Sequence, residues 1–261
     1  MDINLKGKNA FVGGSSKGIG KATAIELAKL GANITLVSRS ADKMIDILHE
    51  LDNSLGQYHD FLVVDFKDIE NLKKRAHAIA LKKDIHILVN NTGGPEPGGL
   101  LEAGLNDFLG AFKNHLICNH LLVKSFVNGM KRSGYGRIIN IISTSVKEPL
   151  DGLGVSNTTR AAVANWAKTL ANELGKFGIT VNNVLPGATS TERLSQIIKN
   201  KASKTNQTED AAAQTMQNNV PAKRFAKPEE TADAITFLAS ERASYINGIN
   251  LPVDGGRTKS L

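Results

Sequence analysis

The hydrophobic residues of this chain fall into seven short apolar runs separated by longer amphipathic segments. The runs are rich in valine, isoleucine and leucine and lie at 9–12, 32–37, 61–64, 85–89, 137–142, 180–184 and 249–251. Between them, apolar residues recur at helical spacing over about 21–30, 41–53, 68–82, 105–131, 156–175 and 228–239. Near-continuous apolar runs are typical of parallel strands buried on both faces by helices. The pattern predicts an α/β fold with a doubly wound parallel sheet of about seven strands.

No repeat, low-complexity tract or break in composition divides the chain, so residues 1–261 are predicted to form a single domain. One segment differs from its surroundings. From about 190 to 220 the chain becomes polar and rich in lysine, glutamine and asparagine, with its main apolar patch at 211–213. This segment predicts either a mobile helical lid over a substrate or a plain surface insertion.

Composition narrows the class of protein. The hydrophobic fraction of 41% and the charged fraction of 22% are those of a soluble globular protein. No apolar run approaches the length of a membrane span, and the first five residues lack the plan of a signal peptide. The single cysteine, Cys118, excludes an internal disulfide and fits a reducing compartment. We therefore expect a cytoplasmic protein with no membrane partner, and we predict no metal site.

The net charge of +7 raises the question of nucleic-acid binding. The lysines are scattered, and the densest cluster, at 199–204, is typical of a solvated helix face or loop. Only three tyrosines and one tryptophan are available to stack on bases. These features disfavour a nucleic-acid partner and leave a small molecule as the expected ligand.

A glycine-rich turn joins the first strand to the first helix. Gly14, Gly18 and Gly20 lie within the sequence GGSSKGIG at 13–20, directly after the apolar run. Glycine permits a positive φ and a close approach of ligand to backbone, and the N-terminus of the following helix favours an anion. The turn predicts a nucleotide-phosphate site, with an ordinary strand-to-helix turn as the alternative.

The residues after the second strand indicate which nucleotide is bound. The sequence there is Ser-Arg-Ser at 38–40, without the acidic residue that typically reads an unphosphorylated adenosine ribose. Arg39 can bind a 2′-phosphate through its guanidinium fork, and Lys17 adds a second positive charge in the turn. NADP (as NADPH) is therefore favoured over NAD, the alternative being that both residues are surface charges.

Several motifs in order resemble those of the short-chain dehydrogenase/reductase family, close to its 3-oxoacyl-carrier-protein reductase branch. The family's T-G-x-x-x-G-x-G motif matches 13–20, with Gly13 in place of threonine. The further matches are Asp65 after the third strand, N-N-T-G at 90–93 for N-N-A-G, P-G-x-x-x-T at 186–191, and V-D-G-G at 253–256. The resemblance covers nearly the whole chain and implies an NADP-binding Rossmann fold.

The resemblance also implies a set of cofactor-binding residues. They are Gly14, Ser16, Lys17, Gly18, Ile19, Gly20, Arg39, Asp65, Asn91, Gly93, Arg160, Pro186, Gly187 and Thr191.

The catalytic positions of the family are only partly preserved. Asn114 matches the asparagine that supports a proton-relaying water, and Ser143 matches the serine that polarises the substrate carbonyl. The expected Y-x-x-x-K reads Ser156 to Arg160, so the tyrosine and the lysine are both replaced. Serine lacks the acidity of an activated phenol, and arginine can hold ribose hydroxyls but cannot usefully exchange a proton.

Two functions remain open on these residues. The first is an NADP-dependent oxidoreductase with altered proton donation, acting on a small carbonyl or alcohol or on an activated double bond. The second is a catalytically silent NADP-binding relative with a role in sensing or assembly. The enzyme is favoured because Asn114 and Ser143 are retained.

The resemblance further implies a homotetramer assembled through the two long helices near 105–131 and 156–175. Trp166 and Cys118 are candidates for contacts between subunits, with membership of the intrachain core as the alternative.

Overall fold

The computed structural model describes residues 3–260, in which seven strands form one parallel sheet of order β3-β2-β1-β4-β5-β6-β7. Met1, Asp2 and Leu261, the ends of the predicted domain, lie outside the described residues. The strands are β1 (Asn9–Gly13), β2 (Asn33–Ser38), β3 (Asp60–Val63), β4 (Ile87–Asn90), β5 (Gly136–Ile141), β6 (Ile179–Pro186) and β7 (Asn250–Val253). Successive strands are added on one side of β1 up to β3 and on its other side from β4 onwards, so a crevice opens at the carboxyl ends of β1 and β4.

Helices cover both faces of the sheet. They are α1 (Gly18–Lys29), α2 (Ala41–Glu50), α3 (Ile69–Ala80), α4 (Leu105–Phe112), α5 (Cys118–Ser133), α6 (Gly154–Leu174), α7 (Glu192–Thr205), α8 (Glu209–Asn218) and α9 (Pro228–Ala239). Buried residues of α1, α2 and α9 form one core, and those of α3, α5 and α6 form another on the opposite face. The predicted single-domain, doubly wound α/β fold is confirmed.

Helix ends follow local sequence signals. The side chain of Asp68 accepts a hydrogen bond from Asn71 N at 3.1 Å and caps α3. Pro228 opens α9, where Glu230 accepts from Lys227 N at 2.8 Å. Gly134 ends α5 with a φ of +60°, a conformation that costs glycine little.

The predicted helix at 105–131 is interrupted, which the periodicity did not indicate. A π-helical turn, Lys113–Ile117, separates α4 from α5. Such a turn rotates the following residues relative to a regular helix and often occurs at functional sites.

The polar segment near 190–220 forms α7 and α8, which bury only a few small or aliphatic residues, among them Leu194, Ala202 and Ala212. The lysine cluster at 199–204 lies on α7, in agreement with the helix-face interpretation. The lid role of the segment stays a prediction.

Three buried asparagines and the half-buried Asn250 form a ladder across the sheet from β4 to β7. Asn90, Asn140, Asn183 and Asn250 lie in register on adjacent strands. Each Nδ2 of the first three donates to Oδ1 of the next at 2.8 Å. Buried amides need partners, and the ladder supplies them for each of these groups except Asn90 Oδ1. It thereby fixes the relative register of the strands whose ends carry the crevice.

Candidate functional site

The glycine turn has a geometry that only glycine allows. Gly14 and Gly18 have φ of +58° and +56°. A Cβ on Gly20 would lie 2.3 Å from the carbonyl oxygen of Gly14. Asn91 Nδ2 closes the turn from the next strand by donating to Gly13 O at 3.1 Å and to Gly14 O at 3.4 Å. The side chain of Asn91 is therefore occupied by the turn itself.

Helix α1 begins at this turn without a side-chain cap, since Lys17 at the N-cap makes no capping hydrogen bond. The first-turn N–H groups of such a helix are left for a ligand, and the helix dipole favours a negative one. Ser16 and Ile19 are half-buried here, with Ile19 packed on the core. The turn fits a diphosphate.

Arg39 lies at the carboxyl end of β2 and is 71% exposed. Its Nη1 is 3.9 Å from Asp65 Oδ2, and Asp65 Oδ1 accepts from Lys67 N at 2.9 Å. The ion pair is long and solvated, so it leaves the guanidinium fork free to bind a phosphate. The two residues that the sequence assigned to the adenosine end therefore lie together.

The segment after β6 lies across the glycine turn. Pro186 ends β6, and a Cβ on Gly187 would lie 2.7 Å from Asp254 Cα. Thr191 Cγ2 would lie 3.2 Å from a Cβ on Gly18. Lys17 forms an ion pair with Glu192, the first residue of α7. The segment around Thr191 and the glycine turn, both predicted to bind the cofactor, therefore lie together at the carboxyl edge of the sheet. Gly93, another predicted cofactor residue, has open space beside it, since a Cβ there would meet nothing within 4 Å.

The carboxyl end of β5 is followed by Ser143 and is contacted by Arg160 of α6. Ser156 lies near Arg160 on the same helix. Ser143 follows this strand, and its Oγ accepts from Ser145 N at 3.1 Å. Arg160 is only 8% exposed, and its Nη1 donates to Ile141 O, the last residue of β5, at 3.0 Å. Ser156 is one turn earlier on α6 and therefore on the same helix face as Arg160.

Asn114 and His115 both belong to the π-helical turn and differ in burial. Asn114 is half-exposed, and its side chain has no hydrogen-bond partner within 3–260. His115 is buried, with Nδ1 2.7 Å from Thr92 Oγ1 and with no partner for Nε2 among the described residues. The assignment of Asn114 to a proton relay stays a prediction that this placement does not support.

His115 was missed by the sequence analysis, although a signal was present. Ala111, His115, Cys118 and Leu122 recur at spacings of three and four and are all buried. The helical period therefore places His115, and not its neighbour, on the inward face.

Burial and charge set the protonation of this cluster. Burial, together with the positive charge of Arg160, lowers the pKa of His115 to about 2, so the imidazole is neutral at neutral pH. Burial, together with Arg193, lowers the pKa of Arg160 to about 10, which still leaves it charged. Its Nε has no hydrogen-bond partner in the described chain.

The tyrosines lie elsewhere. Tyr135 precedes β5, at the opposite end from Ser143, and its hydroxyl donates to Ala239 O. Tyr245 and Tyr58 are exposed.

Within residues 3–260, no three or more His, Cys, Asp or Glu side chains are grouped in a way that could hold a metal ion. In the same part of the chain, no helix combines the length and the apolar character needed to cross a membrane.

Comparison with known proteins gives a consistent family. Residues 14–258 match the family model described as Enoyl-(Acyl carrier protein) reductase. The chain is 30% identical to the NADPH-dependent reductase BacG of Bacillus subtilis, over 97% of this chain and 99% of that protein. It is 34% identical to the 3-oxoacyl-[acyl-carrier-protein] reductase FabG of Buchnera aphidicola, over 97% and 98%.

Solved structures agree with the sequence relatives. The L-sorbose reductase of Gluconobacter frateurii, complexed with NADPH and L-sorbose, superposes with a TM-score of 0.93 at 33% identity, over 100% of both chains. With the glycine turn, the seven-stranded sheet and these likenesses together, the chain belongs to the short-chain dehydrogenase/reductase family.

Proposed function

We propose that this protein is an NADPH-dependent reductase that adds a hydride to a carbon–carbon double bond conjugated to a carbonyl group. Its substrate is a small molecule. The observation that carries this proposal is the neutral, buried His115, whose Nε2 has no partner among the described residues and which lies beside a crevice that holds no tyrosine. NADPH dependence is supported by the relatives, since BacG is named NADPH-dependent and the L-sorbose reductase was solved with NADPH.

The residues present fit this cofactor. The uncapped glycine turn would hold the diphosphate, Arg39 the 2′-phosphate and Asp65 the adenine, while Thr191 lies over the turn. NADPH, when bound, supplies the hydride.

Proton chemistry separates a double bond from a ketone. A ketone reduced to an alcohol needs a proton on a strongly basic oxygen, which an enzyme acid normally delivers for a gain of about 10²–10⁴-fold. His115 is a neutral imidazole, Arg160 keeps its proton, and the hydroxyls of Ser143 and Ser156 are weak acids. These groups donate hydrogen bonds but do not release protons at neutral pH.

A conjugated double bond does not need such an acid. The β-carbon takes up the hydride, the electron pair moves through the α-carbon onto the carbonyl oxygen, and the enolate formed takes a proton from water at the α-carbon. Ser143 and His115 are the groups proposed to donate hydrogen bonds to this oxygen, His115 in the tautomer that carries hydrogen on Nε2. The charge of Arg160 stabilises the enolate because the site is buried.

A matched pair of substrates tests the proposal. Purified protein is mixed with NADPH and with either benzoylacrylate, a conjugated enone, or benzoylpropionate, the ketone without the double bond. We expect oxidation of NADPH with the enone, benzoylpropionate as its product, and a rate at least about 10²-fold lower with the ketone. Cyclohexenone and cyclohexanone form a second, uncharged pair.

The double variant Ser156→Tyr, Arg160→Lys sharpens the test, because it restores the family's proton donor and should gain ketone reduction. NADPH binding without turnover of any of the four compounds would instead favour the silent NADP-binding protein. Equal rates on the enones and the ketones would contradict the specialisation for double bonds.

The proposal also includes a location in the cytoplasm and the homotetramer that the family resemblance implies. Its support is a row of exposed leucines, Leu101, Leu105 and Leu109, before and along α4. Cys118 does not belong to such an interface, since it is fully buried within the chain and its thiol donates to Phe66 O at 3.1 Å. Trp166 is half-buried. Light scattering that shows a monomer would remove this part of the proposal.

A further inference from the structure

Two guanidinium groups meet beside Gly94, in the loop that follows β4. A Cβ built on Gly94 would lie 3.6 Å from Arg160 Nη2 and 3.9 Å from Arg193 Nη2. Arg160 reaches this point from α6 and Arg193 from the first turn of α7. Two positive charges from distant parts of the chain thus lie within 4 Å of one point beside Gly94.

Neither charge is neutralised by the protein. Arg160 donates to Ile141 O and Arg193 Nη2 donates to Pro95 O at 2.9 Å, and both acceptors are uncharged carbonyls. Within residues 3–260, no carboxylate lies within 4.0 Å of either guanidinium. A buried, unpaired charge is costly, and two like charges at one point add to that cost.

Unpartnered donors point to the missing group. The Nε of Arg160, a residue more than nine-tenths buried, has no partner, and neither has Nε2 of the neighbouring His115. Burial, and after it the repulsion from Arg193, lowers the pKa of Arg160, and an anion between the two groups would oppose both effects. The site is therefore built for a negatively charged ligand.

The cofactor phosphates have their own positions. The glycine turn is the proposed site of the diphosphate, and Arg39 is the proposed site of the 2′-phosphate. Asn91, which closes that turn, lies three residues before Gly94 in the same loop. The pair of arginines instead adjoins the β5 end that carries Ser143. We propose that Arg160 and Arg193 bind a carboxylate of the substrate, so that the reductase acts on anionic, carboxylate-bearing compounds.

This inference rests on the proposed function, because it names the substrate class of the same site. Two guanidinium forks match the two oxygens of one carboxylate. Arg193 is exposed on α7, so its removal tests the inference without disturbing the core. Lys199, exposed on the same helix, is the matched control.

The kinetic experiment compares benzoylacrylate with its methyl ester in the native protein, Arg193→Gln, Arg193→Lys and Lys199→Gln. We expect Arg193→Gln to raise the KM for the acid about 30-fold with little change in kcat, and to leave the KM for the ester unchanged. Arg193→Lys should recover part of the loss. Lys199→Gln should behave as the native protein for both compounds. Equal effects of Arg193→Gln on acid and ester would overturn the inference.

A binding experiment separates this inference from the proposed function. Calorimetry measures benzoylpropionate and NADPH binding to the native protein and to Arg193→Gln, with benzoylpropionate titrated both with and without NADP. We expect Arg193→Gln to weaken benzoylpropionate about 30-fold and to leave NADPH unchanged.

A loss confined to NADPH would assign the arginine pair to a cofactor phosphate and overturn the substrate inference while the reductase stands. Carboxylate binding that depends on Arg193, without NADPH oxidation by any enone, would overturn the reductase instead.

Discussion

The glycine turn and the crevice beside β5 differ in whether their buried polar side chains have hydrogen-bond partners. In the turn, the buried polar side chains are paired inside the protein, and backbone N–H groups at the uncapped start of α1 are left for a ligand. Ser15 Oγ accepts from Val37 N at 2.7 Å, and the Asn91 amide donates to the carbonyls of Gly13 and Gly14. The turn has its final shape before any ligand arrives.

In the crevice and around it, buried polar atoms stay without partners. Those found in the described chain near the ends of β4 and β5 and the start of α6 are Asn90 Oδ1, His115 Nε2, Ser145 Oγ, Asn157 Oδ1 and Arg160 Nε. Native proteins leave few such atoms, and each needs an explanation. The difference indicates that the turn is a preformed binding element, whereas the crevice is completed by what it binds.

The largest loss of stability that we predict comes from a substitution that disrupts the glycine turn. Gly20→Ala places a methyl group 2.3 Å from Gly14 O, where both sides are backbone and cannot move freely. We expect the free energy of unfolding to fall by about 3 kcal/mol or more, measured by urea denaturation followed by circular dichroism. Gly110→Ala is the control, since its methyl group meets nothing within 4 Å and should stabilise α4. Equal stability of the two variants would contradict a rigid turn.

Substitutions in the asparagine ladder measure how much its hydrogen bonds stabilise the strands that end at the crevice. Asn140→Leu leaves the amide of Asn90 and the carbonyl oxygen of the Asn183 side chain buried and unpaired. Two such groups should lower the free energy of unfolding by about 2 to 3 kcal/mol. Asn250→Leu, at the half-buried end of the ladder, removes one bond and should cost less. The idea fails if the end position costs as much as the middle one.

His115 makes the free energy of unfolding of the protein dependent on pH. Its pKa falls from 6.5 to about 2 on folding, so below pH 6.5 the unfolded chain binds a proton that the native protein does not. Stability is therefore lost as the pH falls from 6.5 towards 2, and the loss should reach about 2 kcal/mol at pH 5. Urea midpoints at pH 7.5 and 5 should differ more for the native protein than for His115→Gln. An identical pH dependence would show that His115 takes up its proton in the native state.

The smallest effect that we predict is on cofactor affinity and comes from Arg39, an exposed residue at the edge of the cofactor site. Arg39→Ala should weaken NADPH binding about tenfold and leave NADH binding unchanged, because only the former carries a 2′-phosphate. Fluorescence titration of both cofactors measures the ratio, with exposed Lys43→Ala on α2 as the matched control. A parallel loss for NADPH and NADH would remove Arg39 from phosphate recognition.

The sequence determined the sheet and the turn, because both depend on short-range preferences. Apolar runs predicted the strands to within a few residues, and the turn follows from the backbone freedom of Gly14 and Gly18. Ser143 and Arg160 could be assigned to one strand end because the first follows β5 and the second lies on the next helix.

Only the tertiary structure decided the chemistry of the crevice. The packing around His115 leaves its Nε2 without a partner among the described residues, and the meeting of Arg160 with Arg193 joins residues from α6 and α7 beside Gly94. Such convergence depends on how helices pack on the sheet, and no local pattern encodes the distance between side chains of separate elements. The binding turn could be read along the chain, but the charged crevice exists only once the helices have packed around it.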